Sequence, residues 1–200
     1  SIEILASYSP LWVKEDRVLS SFVVQIVNKT YPSEEEFDLY LLLCVLVKKY
    51  SIASKVALKH GNKKIAKYLN SEKETNLSKV EKSAFEALKC HRYELASLFF
   101  IVMKRNDQAI HVIKENPMLS LLVARLLNEK EKVRSILNSN DFFASKETDS
   151  INRFFAVFNE NKNEAVDILI NYKLPDCDLI CLDAHRCEMI NEIDKDVPKS

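Results

Sequence analysis

The chain has 200 residues, 47% of them hydrophobic, which suffices to bury a sizeable core in one domain or a short helical array. It contains a single glycine, Gly61, so dinucleotide fingerprints, P-loops and nucleophile elbows cannot be written, and tight glycine-dependent β-hairpins are disfavoured. The zero net charge is unevenly spread: residues 1–43 hold 3 basic and 7 acidic side chains, residues 44–135 hold 19 and 9, and residues 136–200 hold 7 and 13.

In chain order, Ser9-Pro10 supplies a cap and a first-turn proline ahead of Leu11, Trp12, Val18, Leu19, Phe22, Val23, Ile26 and Val27, which recur at helical spacing. Tyr31-Pro32 breaks that helix. Ser33 to Glu36 forms a capping box, predicting a second helix through about Lys49. Ser78 to Glu81 repeats the device before Ala84, Phe85 and Leu88. Pro117 opens a helix through Leu121, Leu122, Ala124 and Leu127, and Ser150 opens another with Phe154, Phe155 and Phe158. No stretch alternates convincingly as a strand. Residues 72–76 and 140–149 are the expected exposed linkers, and the tail after Glu192 is expected to fray.

A degenerate repeat runs through these helices: a helix, a short polar turn, then a second helix with a small residue followed by aliphatics. It recurs at 88–100, 103–113, 127–137 and 158–170, with a looser copy at 46–58. Ala96, Ala109, Val133 and Ala165 fall at the position where a small side chain lets paired helices approach. One helix pair cannot bury its apolar face alone, so neighbours should stack. The expected fold is all-α, an irregular α-solenoid of stacked antiparallel helical hairpins over 1–174, followed by a Cys/His-containing segment and tail at 175–200.

The stretch from about Leu39 to Ile170 resembles the C-terminal helical region of the rabconnectin/DmX-like family, the scaffold of the RAVE complex, through KSAFEALKCHRYELASLFFIVMKRNDQAIHVI at 82–113 and LSLLVARLLNEKEKVRSIL at 119–137. Arg92-Tyr93, Ala96, Phe99-Phe100 and Ala124-Arg125 stand where that family has corresponding residues. The resemblance implies a helical scaffold that helps assemble the vacuolar proton-pumping ATPase. By size, charge and architecture the chain is also similar to ribosome dormancy (hibernation) factors.

Candidate sites follow from charge and from cysteine. Lys63, Lys64 and Lys67 share a helix face opposite Ile65, Tyr68 and Leu69, with Lys48, Lys49, Lys55, Lys59 and His60 just before, while Arg92, Lys104 and Arg105 occupy inter-helix turns. In a solenoid such turns line up along one edge, where they can contact phosphates without reading base sequence. Solvated helix faces would give the same composition. Cys177, Cys181, His185 and Cys187 form a C-x3-C-x3-H-x-C cluster that is a candidate zinc site. If 176–190 is one helix, Cys177 and His185 lie ~12 Å apart and cannot share a metal. Phe142-Phe143, in a polar linker, is a pair that can insert into a partner.

The five cysteines are odd in number, no basic-then-apolar leader opens the chain, and its longest apolar run is too short for a bilayer. These features predict a cytoplasmic, non-membrane-spanning protein, and the missing catalytic motifs predict that it is not an enzyme and takes no small-molecule substrate. The expected partner is a large assembly: a ribosome contacted through rRNA and ribosomal proteins, in translational silencing. The alternative, from the family resemblance, is the subunits of the vacuolar pump.

Overall fold

The computed structural model describes residues 2, 10, 13, 15–70 and 77–137. The chain divides into two units, Ser1–Phe142 and Phe143–Ser200. The second unit lies outside the described residues, and with it the expected boundary at 174/175, the helix from Ser150, the repeat copy around Ala165 and the Phe142-Phe143 pair.

The described part of the first unit is all-helical. It contains α1 (Asp16–Lys29), α2 (Phe37–Leu46), α3 (Tyr50–Lys59), α4 (Lys63–Asn70), α5 (Leu77–Lys89), α6 (Tyr93–Val102), α7 (Asn106–Val112), α8 (Pro117–Leu126) and α9 (Lys130–Leu137). Successive helices pack on each other from α2 to α4 and from α5 to α9, while α2 also packs on α6 and α1 on α2 and α8.

Three helices are apolar nearly all round, and a helix of that kind must be enclosed. In α2 every residue from Tyr40 to Leu46 is buried; α6 buries Leu95 to Phe100, and α8 buries Leu119 to Arg125. Their neighbours are amphipathic. Helix α4 buries Ile65, Ala66 and Leu69 while Lys63, Lys64 and Lys67 face water, as the spacing predicts.

Five connections share one geometry. Lys48, Gly61, His91, Lys104 and Asn128 adopt φ between 57° and 75°. In each, the next residue's N–H reaches back five positions: Lys49 to Cys44 (2.7 Å), Asn62 to Ala57 (2.8 Å), Arg92 to Ala87, Arg105 to Phe100 and Glu129 to Ala124 (2.9 Å each). The left-handed residue's own N–H bonds three positions back. This is the Schellman ending, which satisfies carbonyls that a helix terminus leaves open. Five residues after each left-handed residue stands Ala53, Ala66, Ala96, Ala109 or Val133, all buried. The small-residue positions expected at Ala96, Ala109 and Val133 are therefore close-packed, and the looser copy around Ala53 is a full member.

Some expected boundaries move. The second helix stops at Leu46 because Lys48 turns left-handed. Ser33 Oγ accepts from the Glu36 N–H at 3.3 Å, but the Glu36 carboxylate accepts from the Ser33 hydroxyl and the Ile2 N–H (2.7 Å), so the box is not reciprocal. Ser78 lies within the first turn of α5, and Glu81 pairs with Arg105 instead of closing a cap. Pro117 does open α8, with Asn116 Oδ1 accepting from the Leu119 N–H at 3.0 Å.

The turns lend themselves to a direct check. A Cβ on Gly61 would meet nothing within 4 Å, so Gly61→Ala should cost only the left-handed backbone penalty. That is about 1 kcal/mol. His91→Gly should stabilise by about as much. Urea midpoints should move in opposite directions for the two variants with unchanged m-values.

Candidate polyanion-docking end

Hydrogen bonds between helices fix which turns share an end. Arg92 Nε and Nη2 donate to the Asp38 carboxylate at 2.8 and 2.6 Å, so the starts of α6 and α2 adjoin. Both helices have 10 residues and pack on each other, which directs their final turns, at Lys48-Lys49 and Lys104-Arg105, away from that shared start. Asn106 Nδ2 donates to the Glu129 carboxylate at 2.7 Å, and Lys132 pairs with Asp107 at 3.1 Å. The third turn, at Asn128-Glu129, therefore belongs to this end too.

The end thus gathers Lys48, Lys49, Lys104 and Arg105 at the C-termini of two buried helices. Cationic side chains are favoured there because the last carbonyls carry the negative end of the helix dipole. Arg105 spends part of its charge on Glu81 at 2.5 Å. Among the described residues, Lys48, Lys49 and Lys104 form no ion pair; Lys48 and Lys104 are exposed and Lys49 is half-buried. A lysine in a hydrogen-bonded left-handed turn starts from a fixed backbone position, which leaves only its side chain to be ordered on contact with a phosphate.

The other expected contact residues do not join this group. Arg92 lies at the opposite end, and its hydrogen bonds to Asp38 raise its already high pKa. Lys63 and Lys64 open α4 just after the Gly61 turn, also away from it, and Lys64 pairs with Glu86 at 3.1 Å. Lys67 is exposed on α4. Cys177, Cys181, His185 and Cys187 lie outside the described residues, among which no cluster of three potential metal ligands occurs.

Other reactive groups are held in structural roles. Burial pushes the Cys44 thiol up to about 12, despite an opposing hydrogen bond with Tyr40, so the sulfur stays protonated at neutral pH. Burial also raises the Tyr40 phenol, whose hydroxyl donates to the Val27 carbonyl at 2.7 Å. His111 is exposed on α7, and His91 occupies a left-handed turn with Nδ1 3.0 Å from the Tyr93 hydroxyl. No described helix is long and apolar enough to cross a membrane.

The described residues thus define a class: an all-helical protein with three enclosed helices, two of which, α2 and α6, are followed by basic turns. Comparison with protein-family models, with curated proteins and with solved structures gives no match to this chain.

Proposed function

We propose that this chain is a non-catalytic, cytoplasmic helical binding protein that docks end-on on a large ribonucleoprotein. The partner that fits best is the ribosome, contacted through rRNA phosphates in a dormancy or translation-silencing role. In this reading the helix pairs are units of an irregular α-solenoid. What supports it is that Lys48, Lys49 and Lys104 have no carboxylate partners among the described residues and fall, with Arg105, at the ends of two helices that pack on each other. Clustered cations displace counterions from a phosphate backbone, giving affinity that is independent of base sequence and sensitive to salt.

Sedimentation of lysate at low and high salt tests the reading. The protein should co-migrate with ribosomes at low salt and leave them at high salt, and Lys48→Glu/Lys49→Glu/Lys104→Glu should remain in the soluble fraction throughout. Association with membrane-bound pump subunits that survives high salt would instead favour the scaffold role implied by the rabconnectin/DmX-like resemblance, and would overturn the ribosomal one.

A further inference from the structure

A second basic feature stands apart from the docking end. A cleft of about 320 Å³ opens between the end of α1 and the outer face of α3. Lys29, Lys55 and Lys59 line it, no carboxylate does, and none of the three lysines forms an ion pair among the described residues. Three like charges around one concavity repel each other until an anion enters. Its exposed apolar lining comes from the Tyr31 ring and Ile52, with the buried Val27 and Val56 beneath.

The walls are held in place. Tyr31 is 55% exposed, yet its ring stacks on His60 (5.7 Å between centroids, 18° between planes), and His60 in turn lies against Phe37 at 4.6 Å. Lys59 Nζ sits 5.3 Å from the Tyr31 ring centroid, a cation–π contact that gives the ammonium a defined place. At the end of α1 two carbonyls are already taken, that of Val27 by the Tyr40 hydroxyl and that of Ile26 by the Thr30 N–H. The helix terminus therefore opposes an incoming anion less than a bare one would.

We propose that this cleft binds a small organic phosphate, with the dianion between Lys29, Lys55 and Lys59 and the carbon body against the Tyr31 ring and Ile52. Three ammonium groups suit a doubly charged oxyanion. The volume is at the small end of ligand pockets, which run from roughly 300 to 1,000 Å³. A bare phosphate ion would leave the apolar lining uncovered, so an ester fits better than the inorganic ion. The phosphate can come from a free nucleotide or from the 5′ end of an RNA.

Calorimetric titration of the full chain with AMP, adenosine and a 5′-phosphorylated trinucleotide tests this. At least one phosphorylated probe should bind ten-fold or more tightly than adenosine, and Lys55→Glu or Lys59→Glu should weaken it at least ten-fold with unchanged melting temperature. Dependence shown by AMP identifies a free ester; dependence confined to the trinucleotide identifies an RNA end. Phosphorylated probes that bind no better than adenosine, or binding that survives both charge reversals, would overturn the proposal. Lys48→Glu/Lys49→Glu/Lys104→Glu should leave this titration unchanged, so loss of the docking end and loss of the cleft are read separately.

Discussion

Leu98→Ala should lower the unfolding free energy by about 3–4 kcal/mol, measured as a fall in the urea midpoint at constant m. Leu98 is fully buried in α6, which is enclosed by α2, α5 and α7. Truncation there loses the transfer energy of the removed carbons and leaves a cavity that three packed helices cannot easily close. The same change at Leu58, which is 51% exposed on α3, should cost well under 1 kcal/mol. If the two variants cost the same, the assignment of α6 as an enclosed helix is wrong.

Asp16→Ala should also destabilise, by about 2 kcal/mol, through the charge it leaves behind. Arg125 is buried in α8, donates from Nε to Asp16 at 2.8 Å, and donates from Nη1 to the Pro10 carbonyl, across sequence separations of 109 and 115 residues. Losing one partner of a buried charge costs about 3–5 kcal/mol when both are enclosed. The figure is smaller here because the Asp16 side chain is 54% exposed and partly screened. Arg125→Met should be better tolerated than Asp16→Ala, since it removes the buried charge and retains much of the apolar volume. The double-mutant cycle should show a coupling of about 1 kcal/mol or more; additivity would mean the Asp16–Arg125 pair contributes nothing.

Helix content was legible in the sequence because burial periodicity is a local signal: Ile65, Ala66 and Leu69 on one face of α4 and three lysines on the other need no knowledge of neighbours. Helix endings were less legible. The usual marker of a left-handed ending is glycine, and four of the five such turns use Lys48, His91, Lys104 and Asn128 instead. A surer signal is the nine-residue spacing that brackets each turn, Cys44 to Ala53, Ala57 to Ala66, Ala87 to Ala96 and Ala124 to Val133. Phe100 to Ala109 is the copy with a large first residue.

The basic edge was legible only in part, for a topological reason. Which end a turn occupies is read from pairs between helices, such as Arg92 with Asp38 and Asn106 with Glu129. Lys48 and Lys104 end helices that pack on each other, while Arg92, in an intervening turn of the same type, lies beside Asp38 at the start of those helices. Linear sequence shows that a lysine lies in a turn. Which end that turn occupies depends on contacts between helices far apart in the chain.

If Lys48, Lys49, Lys104 and Arg105 act together on phosphate, the salt dependence of binding to purified ribosomes measures it directly. With four cationic side chains engaged, the logarithm of the association constant should fall with the logarithm of salt concentration with a slope of about −3. The slope should flatten, and the affinity drop by at least ten-fold, in Lys48→Glu/Lys49→Glu/Lys104→Glu. A slope near zero, or a triple variant that binds as the parent does, would contradict the claim.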